Sequence, residues 1–350
     1  MAPQGVASAG NGTHIRTPVN WAGAPCMTVV DRSVDPVYAL SYAVPFEDTQ
    51  LTPDEVEDSR RHQFFALCRD RRDEQYLPNW ITSADLDAAV ANELGDPASV
   101  DPSVDVLETS AEWAGCWARI TADDARRPIT FEAASEPVQW DTSALEAGTW
   151  VVEGYTWEPW TNLWTHRPGA FKIVDDPDPA ASAPAVAFDF SEQPVYVGEV
   201  AGITGCVDAM AGSTMRLEWS PDVIGLEPEW SLVEEGIAVN GSSFTYDWTA
   251  PTEAAGGPVI FRATVDDPMG RSWAGYSHAA LSVLSAPDPG CGDEGGFIHD
   301  DCEDEVGAGE GGGGCAVAAP ELGRTTWGGL GWLLFAALAG LAINRRGPWG

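Results

Sequence analysis

Thr149-Trp-Val-Val-Glu-Gly-Tyr-Thr-Trp157 is a run of β-branched and aromatic residues bounded by turn formers, and it reads as a β-strand. Three neighbouring runs read the same way: Cys116-Trp-Ala-Arg-Ile120, Pro128-Ile-Thr-Phe-Glu132 and Ala170-Phe-Lys-Ile-Val174. Together they predict a small, tryptophan-rich β-sandwich over 111–175. Seven of the chain's 16 tryptophans fall between 113 and 164, so most of these rings are expected to cover a core too small to close otherwise. Trp157, Trp160 and Trp164 form the one cluster that could instead stack on sugar rings or take up peptide.

Downstream, Asp175-Asp-Pro-Asp-Pro-Ala-Ala-Ser-Ala-Pro184 reads as a linker (176–184) kept extended by its prolines and charges. The segment 185–285 then has the length and strand count of an immunoglobulin-like β-sandwich. Its candidate strands are Val186–Phe190, Val200–Val207, Met215–Ser220, Trp230–Val239, Phe244–Trp248, Val259–Val265 and Ser277–Leu284. Cys206 sits where the first bridging cysteine of such a domain would be, but Val259–Val265 holds no cysteine. That favours a bridge to another domain.

Upstream, 26–110 mixes element types. Met27–Asp31 and Tyr38–Val44 alternate as strands do. Thr52-Pro53-Asp54-Glu55 carries the signals of a helix start, and a helix running towards Cys68 is expected. A second helix is expected over 81–94 from a start at Thr82 or Ser83, with Gly95-Asp96-Pro97 as its stop. Residues 1–25 read as disordered or as the remnant of a signal peptide, because Val6-Ala7-Ser8-Ala9-Gly10 fits a small-residue cleavage site. The predicted class is therefore mainly β, with an N-terminal mixed α+β domain followed by two sandwiches.

The formal net charge of −36 disfavours nucleic acid as a partner, since no basic stripe is present to meet phosphates. The charge-mixed run from Asp58 to Glu74 reads as a solvated helix face. Oxygen-rich turns such as Asp175, Asp176 and Asp178 are weak calcium candidates without any recognised spacing. No other cofactor is implied. Of seven cysteines, six (Cys26, Cys68, Cys116, Cys206, Cys291 and Cys302) suit three disulfides in an oxidising compartment. Six cysteines allow 15 connectivities; nearest-neighbour pairing would give Cys26–Cys68, Cys116–Cys206 and Cys291–Cys302.

Residues 286–326 are glycine-dense and acidic and cannot bury a core, so a stalk is expected there. Trp327 to Ile343 follows as 17 residues without a charge, which at ~1.5 Å per residue makes a helix of about 25 Å, the lower edge of a membrane span. Arg345 and Arg346 place the short tail 344–350 in the cytoplasm by the positive-inside preference. Glu310-Gly-Gly-Gly-Gly-Cys315, then this span, then the arginine pair, is similar to the myxobacterial-type C-terminal sorting signal (MYXO-CTERM) of surface-anchored proteins. The resemblance implies a protein retained at the cell surface through Cys315 after the helix is cut away.

No sequence signature of catalysis is present: there is no G-x-S-x-G elbow, H-E-x-x-H, Walker A loop or dinucleotide fingerprint. The five histidines are His14, His62, His166, His278 and His299, and His62 reads as a structural residue of the first helix. The expected function is non-enzymatic display or adhesion at the cell envelope, with polysaccharide or an envelope protein as ligand. The alternative is an exported hydrolase with an unrecognised site in 26–110.

Overall fold

The computed structural model describes residues 17–21, 23–49, 60–71, 77–78, 80–91, 105–110, 112–156, 163–223 and 227–285. The fold is mainly β. Its first domain runs through β1 (Met27–Asp31), β2 (Val37–Leu40), β3 (Arg61–Leu67), the helix α1 (Ser83–Ala91), β4 (Trp117–Arg119), β5 (Arg127–Pro128), the helix α2 (Phe131–Ser135), β6 (Val138–Asp141), β7 (Gly148–Thr156), β8 (Leu163–His166) and β9 (Ala170–Val174).

Seven of these strands form one sheet in the order β1-β9-β7-β3-β4, with β5 paired to β3 and β8 to β7. Only the β1–β9 pair is parallel. The sheet is covered on both faces. Phe64 and Ala66 of β3 turn to one side, with Val30, Trp140, Val152, Phe171 and the β2–β6 pair. Phe65 and Leu67 turn to the other, with Ile81, Leu107, Trp113 and Tyr155. Each such large side chain taken fully from water contributes about 1.5–3 kcal/mol, so β3 is a main source of the domain's stability.

This double burial corrects three expectations. The helix foreseen from Thr52 to Cys68 is a strand over 61–67: a strand buried on both faces reads as a continuous apolar run and loses its two-residue period. Residues 52–59 lie outside the described residues. The boundary at 110/111 does not hold, because β3 pairs with β4 and β7, and β1 with β9; neither half has a complete sheet alone. Residues 17–21 and 23–25 are part of this domain, with Val19 and Trp21 in its core and Trp21 Nε1 donating to the Thr165 carbonyl at 3.1 Å. Two smaller features decide helix positions. Thr82 Oγ1 accepts from the Asp85 N–H while Asp85 Oδ2 accepts from the Thr82 N–H, a reciprocal cap that starts α1 where expected. Thr130 Oγ1 accepts from the Ala133 N–H and starts α2, so the strand foreseen over 128–132 ends at Pro128.

The second domain contains β10 (Ala185–Phe188), β11 (Gln193–Tyr196), β12 (Val200–Asp208), β13 (Thr214–Pro221), β14 (Ser231–Ala238), β15 (Ser243–Thr249), β16 (Gly257–Asp266), β17 (Ser272–Tyr276) and β18 (Leu281–Leu284). One sheet has the order β10-β12-β15, the other β11-β18-β16-β13-β14, with β17 also on β16. The first two strands divide between the sheets: β10 lies antiparallel to β12, and β11 parallel to β18. This is an immunoglobulin-like strand order, A-B-E against C-F-G with a C-side extension. Ile203, Leu217, Trp219, Trp248, Phe261 and Val265 fill the space between the sheets, where such domains often carry a disulfide.

A different bridge is present. Cys26 pairs with Cys206 and Cys68 with Cys116, which corrects the nearest-neighbour pairing while keeping a cross-domain bridge. Ala170, Ala187, Cys26, Met27 and Cys206 form a small apolar cluster at this joint. Lys172, itself buried, reaches Asp208 at 2.9 Å across it. Gly169 sits at φ +84°, where any Cβ would collide with the Cys26 and Pro25 carbonyls. The linker is compact: Asp176 and Asp178 carboxylates accept from the backbone N–H groups of Asp178 and Ala180, and the Ala180 carbonyl accepts from Arg271. Among the described residues no helix is long and apolar enough to cross a membrane. Residues 1–16, Trp157, Trp160, Cys291, Cys302, Cys315, Arg345, Arg346, the stalk and the 327–343 span lie outside them.

Peptide mapping without reductant is expected to recover Cys26 linked to Cys206 and Cys68 linked to Cys116. Replacing Cys26 and Cys206 together by serine should lower unfolding free energy by about 2–5 kcal/mol in denaturant titration.

Candidate functional site

One group of buried titratable residues gathers where the two domains meet. Asp70 follows β3, beyond the Cys68–Cys116 bridge that holds this turn. His166 ends β8. His278 belongs to the turn between β17 and β18 of the second domain. Asp70 points across the joint: Oδ2 accepts from the Tyr276 backbone N–H at 2.8 Å, and Oδ1 lies 3.0 Å from His278 Nε2. Behind His166, Glu153 of β7 is fully buried; its Oε1 lies 3.1 Å from His166 Nδ1 and accepts from Arg71 Nε at 2.9 Å. The two imidazoles stack, 3.4 Å between centroids and 13° between planes.

The result is one chain of polar contacts, Arg71–Glu153–His166 stacked on His278–Asp70–Tyr276. An ionised carboxylate only accepts, so His166 donates from Nδ1 and His278 from Nε2. Burial pushes the Asp70 pKa up, but His278, then His166 and the Tyr276 N–H, outweigh it and leave the carboxyl below its usual range. Glu153 is likewise lowered, burial being overcome by Arg71 and His166. Burial and the neighbouring His278 push the His166 pKa down against the pull of Glu153 and Asp70. Both carboxyls are thus held ionised and His166 neutral near pH 7.

A cavity of about 140 Å³ adjoins the cluster, lined by Asp70, His166, Tyr276, His278, Phe188 and Phe190 among others. That is room for a few waters, well below the ~300 Å³ at which organic ligand sites begin. Among the described residues, Asp70, His166 and His278 are the group whose ligand atoms come within 4.8 Å of one another. Asp175, Asp176 and Asp178 are not so gathered. Asp175 pairs with Arg32 at 2.7–2.9 Å, and the other two serve the turn.

The remaining expected site residues have structural surroundings. Trp164 packs on Tyr155 at 4.7 Å and Phe65 at 5.4 Å, and its Nε1 donates to the Pro78 carbonyl, so its ring covers the core. Trp113, Trp140 and Trp150 are buried as well. His62 lies on a strand, fully buried beside Tyr42 and Phe64, and donates from Nε2 to the Thr17 carbonyl at 2.9 Å. Its Nδ1 is buried without a partner. Sequence reading passed over Asp70, His166 and His278 as members of a charged run and of a short histidine inventory. No local spacing joins them, since Asp70 and His278 are separated by 208 positions.

No family model and no curated protein matches the chain. Solved structures that do align include the N-terminal four Ig domains of Dscam1 isoform 7.44 (9% identity, 77% of this chain and 47% of that one, TM-score 0.17). Others are the ICAM-5 D1–D4 ectodomain fragment (12%, 78% and 52%, 0.19) and DIP-gamma IG1+IG2 (14%, 47% and 80%, 0.19). The chain spans about half the length of the first of these. The immunoglobulin-like character of the second domain rests on its own strand order.

Two measurements test the buried groups. Burial, outweighing the Thr17 bond and the Asp48 charge, lowers the His62 pKa from 6.5 to about 4. Between those values the unfolded chain takes up a proton that the folded chain refuses. Stability should therefore fall as pH falls through this window, by roughly 3 kcal/mol. His62→Gln, which keeps a donor to Thr17, should flatten that part of a urea–pH profile; an unchanged slope would assign it elsewhere. Glu153→Ala removes the carboxylate from Arg71 and His166 together and should cost about 3–5 kcal/mol in the same assay.

Proposed function

We propose that this chain is a non-catalytic display or adhesion protein of the cell envelope, held at the surface by its C-terminal signal with Cys315 as the retained anchor. The observation that carries the reading is the order of parts: a disulfide-bonded β unit, then an acidic glycine-rich tract, one cysteine, an uncharged span and an arginine pair. Disulfides that staple domains persist in oxidising compartments, which agrees with export. The strongly negative charge would keep the unit soluble and spaced from an anionic surface. On this reading the ligand is a polysaccharide or an envelope protein.

Arg262, Trp230 and Tyr276 form a half-buried cluster on the second domain, with Arg262 also paired to Glu218 at 2.7 Å. Phe261 and Ala263 turn inward on β16, so Arg262 turns outward. Its guanidinium stands 4.5 Å over the Trp230 ring, which lies 5.9 Å from Tyr276. Aromatic side chains with arginine are the composition enriched at protein contact surfaces.

Cell fractionation tests the anchor. The unaltered protein is expected in the envelope fraction and open to protease on intact cells, whereas Cys315→Ala should be released to the medium. Recovery of the unaltered protein from cytosol with its thiols reduced would overturn the proposal.

A further inference from the structure

We propose that Asp70, His166 and His278 form a binding site for a divalent first-row transition ion, zinc above all, that clasps the two domains. Two imidazoles and a carboxylate are a ligand set suited to zinc, with bonds of about 2.0–2.2 Å. Bonds of that length at 90–110° put neighbouring ligand atoms about 3.0–3.4 Å apart. The Asp70 Oδ1 to His278 Nε2 distance is 3.0 Å, so an ion can replace the shared proton with little movement of the backbone.

His166 is prepared for the role. Glu153 fixes its Nδ1–H and leaves Nε2 as the ligand atom, and Arg71 holds Glu153 in turn. A buried carboxylate behind a ligating histidine is the outer-shell arrangement that orients the ring and raises its basicity. The adjoining cavity of about 140 Å³ has room for the water that would complete four-coordination.

The stacked rings impose one condition. Planes 3.4 Å apart and only 13° from parallel cannot both contain the same ion, so one imidazole must turn as the ion enters. His278 is the one placed to do so, on a turn and with a side chain 19% exposed against 9% for His166. Because Asp70 and His166 belong to the first domain and His278 to the second, occupancy would raise the cost of separating them.

The test uses the full chain, stripped with EDTA and titrated with Zn²⁺ alone by calorimetry in 0.15 M salt with excess Mg²⁺ to occupy surface carboxylates. One ion per chain is expected, with a rise in Tm and, for Co²⁺, visible d–d absorption. His278→Gln, which keeps a donor to Asp70, and His166→Gln should each abolish the stoichiometric binding and the Tm rise. Glu153→Gln, at a positioning residue, should weaken affinity 10–100-fold while leaving the Co²⁺ spectrum of the loaded protein in place. Absence of stoichiometric binding to the unaltered chain, or binding undiminished in both histidine variants, would overturn the proposal.

Discussion

Alternation along β12 is the constraint on which the two-domain arrangement rests. Ala201 and Ile203 face the sandwich interior, and Val207 returns to it, so Cys206 must face outward. An outward cysteine cannot take part in the bridge that commonly crosses an immunoglobulin-like core. It meets Cys26 instead, at the start of the first domain's edge strand, and the interior is closed by Ile203, Trp219, Trp248 and Phe261. The disulfide therefore fixes the relation between two sheets in different domains, and a small apolar cluster packs around it.

Around that covalent point the joint is mostly polar, and its charged groups are partnered. Lys172 finds Asp208, Asp70 finds a backbone N–H and a histidine, and Glu153 serves an arginine and a histidine. Buried ion pairs add little net stability over apolar packing of the same volume, yet leaving one partner alone is expensive. A docking displaced by one residue along β9 or β17 would strand several charges at once. The apolar faces of each domain supply stability, and these pairs supply the requirement for one relative position.

Much of the second domain was legible in the sequence because its strands alternate between a core and solvent: Val200–Val207, Met215–Ser220 and Val259–Val265 each fall inside an observed strand. Where both faces are buried the alternation disappears, and β3 was misread as helix for that reason. The single-domain nature of 17–175 was hidden because its central sheet is assembled from distant pieces, and strand order is not written in local pattern. The candidate ion site was least legible. Its three ligands are solitary polar residues on a turn, a strand end and another turn, and only tertiary pairing brings them together.

The parallel contact between β11 and β18 has a mechanical consequence. A pull on the C-terminal end of β18, resisted at the N-terminal side of β11, loads the hydrogen bonds between them in shear, all at once, where a hairpin would unzip one rung at a time. Resistance at β11 must come from the first domain held as a body, because tension entering upstream of Cys26 crosses the sulfur–sulfur bond to Cys206 and leaves the chain between them, β11 included, unloaded.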